Sequence, residues 1–388
     1  MPKSLLLLLL LACCLLSCSK SGKQEKAASS DSLTTLTPPS SAPVEADSAL
    51  NSAARFYAGV DCEGTAMSAA DSLAWQKHAA QMGALLAEAR ESFLHPIDSL
   101  MKREASDARE IIDYVFYPCA GADFIFPFAF FPDADTYFLV GLEPAGTPIR
   151  QSVPDVRRLE ACRSVLRPYF QSGFFVTKNM KGQLQREEIQ GMVPVITQLM
   201  ALSDCELVSA TNCSFTQDGS IKADTMQTNL VELQFRRCGS SRLQRLFYLS
   251  ADLSTSALDP LLQNYIATTL PKHRAATLLK AASYILRHDD TFGAIRQLIL
   301  DHSIAILQDD SGIPYRCFDH RLWMLSLYGE YVKPRACFDA DTYQPDLEHI
   351  YAVEPTVKPL PFHIGYARPS NWMIARKKKN PETAPLLD

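Results

Sequence analysis

Two short stretches carry residues whose types and spacing suit chemistry. The first is Tyr117-Pro118-Cys119-Ala120-Gly121-Ala122-Asp123, with an acid, Glu143, placed 22 residues after Gly121. A glycine at the end of a strand lets a ligand approach the backbone, and an acid about 20 residues on can accept hydrogen bonds from ribose or sugar hydroxyls. The second is Gln308-Asp309-Asp310-Ser311-Gly312. Adjacent carboxylates can hold a cation or share a proton. The candidate ligand-binding residues are therefore Gly121, Asp123, Glu143, Asp309 and Asp310. Each also has a plain structural reading. Gly121 would serve a tight turn, Asp123 would cap a helix, Glu143 would face solvent, and Asp309 and Asp310 would sit in a solvated hairpin turn. His320 and Trp323 lie just beyond that turn. No G-x-S-x-G elbow, H-E-x-x-H, P-loop or G-x-G-x-x-G occurs, so the sequence names no reaction, no cofactor and no metal site.

The elements that must position these residues read as α/β. Apolar residues at helical spacing over 67–105 predict one or two helices, bent at His95-Pro96. Residues 111–116 predict a buried strand, 124–131 a crossover helix and 136–141 a second strand. Helices follow at 156–170, 184–202, 259–270, 275–287 and 292–300. A short strand at 173–177 and further strands at 206–210, 230–236 and 245–250 complete the set, and Cys238-Gly239-Ser240-Ser241 predicts a hairpin turn. Residues 304–318 predict a β-hairpin with Asp and Gly in its turn. The fold class expected is a Rossmann-like three-layer α/β core with N-terminal helices and added C-terminal helices and β-hairpin.

The N-terminus carries an address. MPKSLLLLLLLACCLLSCSK has a basic start at Lys3 and an apolar run, residues 5–16, too short to cross a bilayer. It ends in Leu15-Leu16-Ser17-Cys18, which resembles the lipobox of bacterial lipoproteins. The resemblance implies diacylation (palmitate-type chains) at Cys18, with cleavage before it. Residues 19–52 are Ser-, Thr-, Ala- and Pro-rich and predict a disordered linker, since little apolar surface is present to offset ordering entropy. The expected organisation is a signal peptide at 1–17, the lipidated Cys18 and linker at 18–52, a globular body at 53–375 and a polar tail at 376–388. Any subdivision of the body would fall near 255–270. The expected location is the cell envelope, lipid-anchored at the outer membrane and facing the periplasm or the cell surface.

Composition narrows the partners. Net charge is −5, and losing Lys3 with the signal would make it −6. The basic run Arg376-Lys377-Lys378-Lys379 is read as a solvated end, so nucleic acid is not an expected partner. The partners expected are the membrane, through the lipid, and a small molecule or envelope component. Eight cysteines lie beyond the signal region with no C-x-x-C pair, which argues against a zinc ribbon and allows one or two disulfides at most.

Two wider resemblances follow from these motifs. Residues 111–144, with Gly121 and Glu143, loosely resemble the first motif and second-strand acid of S-adenosylmethionine-dependent methyltransferases. That likeness implies a Rossmann-like fold and a nucleoside-type crevice, although one glycine stands where the family has two or three and Pro127 interrupts the crossover helix. The chain as a whole resembles bacterial lipoproteins of an uncharacterised family that carry YP-x-x-G-x-D, FFP-x-A and QDDSG-x-P, which implies a coherent fold and no particular activity. Two functions remain open. One is a tethered binding or structural protein with an α/β crevice. The other is an envelope hydrolase or transferase using Asp123, Glu143, Asp309 and Asp310, or a degenerate methyltransferase-like domain.

Overall fold

The central strands are short apolar runs without a polar face. β1 (Tyr114–Tyr117) and β2 (Thr136–Gly141) are buried at every position, as strands covered on both faces must be. Their side chains alternate between two apolar cores. Val115, Tyr117, Tyr137 and Leu139 enter one, and Tyr114, Phe116, Phe138 and Val140 enter the other. The computed structural model describes residues 45–175, 189–338 and 340–378. Cys18, the signal region and the tail beyond residue 378 lie outside them.

β1 and β2 sit inside a 10-stranded mixed sheet. The other strands are β3 (Cys205–Phe215), β4 (Ile221–Ala223), β5 (Leu230–Arg237), β6 (Gln244–Ser250), β7 (Ala275–Leu279), β8 (Ala305–Gln308), β9 (Trp323–Gly329) and β10 (Asn371–Lys377). Their order is β4-β3-β5-β6-β2-β1-β7-β8-β10-β9. From β6 to β8 all neighbours are parallel. The chain builds outward from β1 to β2 and β6, then returns to place β7 on the other side of β1. Strand order therefore reverses between β1 and β7. Antiparallel pairs extend the sheet at both ends: β3, β4 and β5 on one side, β10 and β9 on the other.

The helices divide between the cores. α1 (Ser48–Tyr57), α2 (Ala69–Ala89), α3 (His95–Glu104), α4 (Ser106–Ile111), α5 (Ile125–Phe130), α6 (Val156–Ser172) and α7 (Val193–Leu202) supply the first. α8 (Pro260–Thr269), α9 (Asp289–His302) and α10 (Pro345–Val353) supply the second. Local signals explain their ends. Ser68 and Asp71 form a reciprocal capping box on α2. α6 starts on the Asp155 carboxylate and stops at Gly173, whose φ of +77° a side chain would disfavour. Pro96 has no N–H to continue the ladder, and the chain absorbs this in a π-turn at Arg90–Leu94.

Several expectations are corrected. Residues 275–287 are not a helix: β7 occupies Ala275–Leu279, because a five-residue apolar run suits a buried strand as well as a helix. Residues 304–318 are not a hairpin. β8 pairs with β7 and β10, and the chain beyond Asp310 passes into a 3-10 turn at Tyr315–Cys317. The C-terminal antiparallel pair, β9 and β10, is joined through α10 and is no hairpin either. The described residues of the 173–177 segment, 173–175, form no strand. β1 begins at Tyr114, after α4, three residues later than expected. α1 starts at Ser48 with Leu50 fully buried, inside the stretch expected to be linker. The basic run is partly strand: Arg376 pairs with Asp107, and Lys377 donates to the Asp301 carbonyl. The described residues from 45 onward cluster as one compact unit.

Candidate functional site

The C-terminal ends of β1, β2, β6 and β7 open into a cavity of about 440 Å³. That size suits a small molecule, and the position beside a reversal of strand order is where open α/β sheets bind ligands. Gly121, Asp123 and Glu143 all line it. Asp309 and Asp310 do not line it; they lie behind the wall formed by residues 280–283. Sequence reasoning missed Lys280, Asp252 and Tyr366, which line the cavity too. Asp252 follows β6 as Glu143 follows β2, so the rule of an acid after a strand could have found it. Lys280 was hidden by the reading of 275–287 as helix, and Tyr366 has no local signal.

Gly121 ends the β1 turn with φ +56°, and its amide neighbour Ala120 donates to the Val140 carbonyl at 2.8 Å. A Cβ on the facing Gly141 would stand 3.1 Å from the Gly121 Cα and 2.6 Å from the Tyr248 hydroxyl. The two glycines thus let β1 and β2 close tightly at their ends. The turn is strained elsewhere. Cys119, Ala281 and Ser283 line the cavity with φ of +62°, +50° and +55°, and Tyr284 adjoins them at +58°. Such residues cost about 1–3 kcal/mol each and persist where their surroundings over-determine them, commonly at binding sites.

Asp123 sits at the bottom of the cavity and is fully engaged. It accepts from Tyr117 Oη at 2.9 Å and Tyr169 Oη at 2.6 Å, and the Lys280 ammonium lies 2.7 Å away. The Phe126 amide donates to it at 3.4 Å, so its helix-capping role is the weakest of its contacts. Lys280 also donates to the Gly173 carbonyl and lies 3.8 Å from the centre of the Phe126 ring. Burial pushes the Lys280 ammonium below the usual lysine range, and the Asp123 charge opposes that shift. Burial and then Asp123 raise the Tyr117 and Tyr169 hydroxyls, which therefore stay protonated donors.

Glu143 is the opposite case. The residue is 7% exposed overall, its carboxylate has no ion pair and accepts no hydrogen bond among the described residues, and its oxygens open onto the cavity rather than being enclosed by protein. Its backbone carbonyl accepts from Tyr248 Oη at 2.8 Å, which fixes the corner after β2. Its Oε2 lies 3.3 Å from where a Gly141 Cβ would stand, so it is held against the glycine pair.

Asp309 and Asp310 are also buried, at 2% and 3% exposure, because the turn packs on the loop after β7 instead of projecting outward. Asp309 accepts from the Ala281 amide at 3.1 Å and from the Ser311 amide at 3.1 Å. Asp310 accepts from Tyr284 Oη at 2.7 Å and Asn371 Nδ2 at 3.1 Å. Ser311 Oγ accepts from the Ala282 amide at 2.7 Å. The two turns are thus sewn together. Burial, then the Asp310 charge, raises Asp309 to about 7, against the pull of its hydrogen bonds from Ser311 and Ala281. Burial raises Asp310 as well. His320 is exposed and meets the Tyr315 ring edge-on, with centroids 5.2 Å apart, and among the described residues no histidine bonds to this pair. Among the described residues no group of three or more His, Cys, Asp or Glu could hold a metal ion. All eight cysteines beyond the signal region are free thiols.

No family model matches this sequence, and no curated protein and no solved structure shows significant similarity to it.

Proposed function

We propose that this chain is a tethered binding protein whose Rossmann-like three-layer body holds a small hydroxyl-bearing ligand at the C-terminal ends of its parallel strands. The observation that carries this reading is Glu143, a cavity-lining carboxylate to which no described residue donates a hydrogen bond. Its oxygens open onto the cavity, where ligand hydroxyls can take the place of water as donors. Two apolar cores divided by the sheet, and the reversal of strand order beside β1, support the Rossmann-like assignment.

Binding is favoured over catalysis by what surrounds Glu143. Asp123 is consumed by two tyrosines and Lys280, and Asp309 and Asp310 stand behind the wall. Cys119 faces the cavity, but burial pushes its thiol up to about 12, far from a reactive thiolate. Among the described residues that line the cavity, no hydrogen bond joins a nucleophile to an available base.

The test is a thermal-shift screen of residues 45–388 with ribonucleosides and sugars, since a ligand of the native state raises its melting temperature. A hit whose affinity falls roughly 10- to 100-fold in Glu143→Gln supports the crevice; affinity unchanged by that substitution removes Glu143 from it. The tether rests on the lipobox, because stable anchoring needs two acyl chains on Cys18. Among the described residues no helix is long and apolar enough to cross a membrane. Cys18→Ala should abolish lipid labelling and release the protein from membrane fractions; retained label would refute the assignment.

A further inference from the structure

The charges that line the cavity do not cancel. Among the described residues four charged side chains reach it: Asp123, Glu143, Asp252 and Lys280. Lys280 lies 2.7 Å from Asp123, so that pair is neutral as a unit. Glu143 and Asp252 remain, two carboxylates with no ion pair among the described residues.

The two acids are neighbours because of the sheet. β2 and β6 are parallel and adjacent, with Gly141 opposite Ser250, and each acid follows the last residue of its strand by two positions. The Ala251 amide donates to the Gly141 carbonyl at 2.9 Å, which holds the two chains together just past the strands. Glu143 is 7% exposed and opens onto the cavity. Asp252 is exposed at the mouth, where one of its oxygens accepts from the Ser254 amide at 2.8 Å and so fixes the side chain. Its other oxygen accepts no hydrogen bond from a described residue. Neighbouring carboxylates repel one another, and a cation placed between them removes that repulsion.

The facing wall is aromatic. Phe174, Phe338 and Tyr366 line the cavity, with the Tyr366 ring 4.9 Å from each of the other two. Tyr366 Oη donates to the carbonyl of Ala281 at 2.6 Å, two residues past the end of β7, so this wall stands over β7. β1 lies between β7 and β2. At about 4.8 Å per strand step the rings and the acids are about 10 Å apart. A ligand therefore meets acids at one end and rings at the other. Lys280 is spent on Asp123 and the Gly173 carbonyl, so no described lining cation is left to receive an anion.

We propose that the hydroxyl-bearing ligand of this cavity is an amine with a flat ring, its ammonium held at the β2–β6 corner by Asp252 and Glu143 and its ring laid on the wall of Phe174, Tyr366 and Phe338. This rests on the crevice reading above and adds a charge and a ring to the ligand. An ammonium has three donors and suits two carboxylates, and the two oxygens of Glu143 leave lone pairs for a ligand hydroxyl. Aromatic side chains pack against a flat ring in offset or edge-on contact. Binding should weaken as salt is raised, because Asp252 is exposed.

The experiment is calorimetric titration of the full chain, held in detergent micelles, at about pH 6.5, where alkyl amines are protonated. The probes are adenosine, 5′-amino-5′-deoxyadenosine, adenosine 5′-monophosphate, glucose and glucosamine. The amino nucleoside should bind about tenfold or more tightly than adenosine, and the monophosphate more weakly than adenosine. Asp252→Asn should reduce the amine preference below about threefold. Its amide oxygen can still accept from Ser254, and an unchanged melting temperature would show that folding is intact. Glu143→Gln should weaken adenosine and its amine alike. Amine and parent binding equally, or a preference that survives Asp252→Asn, overturns the ammonium corner and leaves the crevice standing. Glucosamine binding as tightly as the amino nucleoside overturns the aromatic half of the proposal. Binding that Glu143→Gln leaves unaltered overturns the crevice reading itself, and no binding by any probe overturns both.

Discussion

The bottom of the cavity and its β2 corner each bury a carboxylate, a few residues apart from matching glycines, and treat it in opposite ways. At the bottom, Asp123 has two tyrosine hydroxyls, an ammonium and an amide. At the corner, the Glu143 carboxylate has no partner among the described residues and opens onto the cavity. A buried charge whose partners are all supplied by the chain belongs to the fold, whereas one that opens onto a cavity without a protein partner is free to meet water or a ligand. Both acids were candidates from the same motif, and their partners tell them apart.

The comparison breaks first at Lys280. Lys280→Met leaves the Asp123 carboxylate buried without its cation, and removing one partner of such a pair costs about 3–5 kcal/mol. Denaturant unfolding should show that loss, and Asp123→Asn added to Lys280→Met should recover much of it, because the amide oxygen still accepts from the tyrosines. If the single variant unfolds like wild type, Asp123 is not structural.

A smaller loss is expected at Gly365. Its φ is +70°, and a Cβ there would stand 1.7 Å from Asp309 Oδ2. Gly365→Ala should destabilise by about 1–3 kcal/mol through strain and overpacking. A melting temperature within a degree of wild type would mean that the Asp309 turn yields easily.

The Asp309 turn sharpens the contrast through pH. Its folded-state value, about 7, lies above the ordinary 3.8, so between those values the folded state binds more protons than the unfolded one. Stability then falls as pH rises from about 4 to about 7, and levels off beyond. Melting temperature measured from pH 5 to pH 8 should decline, and Asp309→Asn should flatten the decline. A wild-type profile that rises over this range would reverse the assignment.

The smallest stability effect is expected at the corner. Glu143→Gln removes a charge that no protein group balances, so unfolding free energy should stay within about 0.5 kcal/mol or increase slightly. A loss above about 2 kcal/mol would make Glu143 as structural as Asp123 and erase the difference between the two regions.

Much of the architecture was legible locally. The runs at 136–141, 230–236 and 245–250 are apolar or alternating and bounded by turn residues, and each is a strand. Gly121 and Glu143 both line one cavity because both lie at strand ends, where sequence position becomes position in space. The 275–287 segment failed for a stated reason: Leu278, Leu279, Ala282 and Ile285 match a helical face, but parallel neighbours on both sides of β7 reward a strand.

What the amino-acid sequence determined by itself was the alternation of apolar strands and helices and the glycine that lets β1 turn, since these depend on near neighbours in the chain. Only the tertiary structure decided which charges are paired. Lys280 reaches Asp123 across 157 residues of chain, and Asn371 reaches Asp310 across 61. Whether a carboxylate is satisfied depends on groups brought together by packing, and the pattern around Asp123, Glu143, Asp309 and Asp310 holds no local trace of those partners.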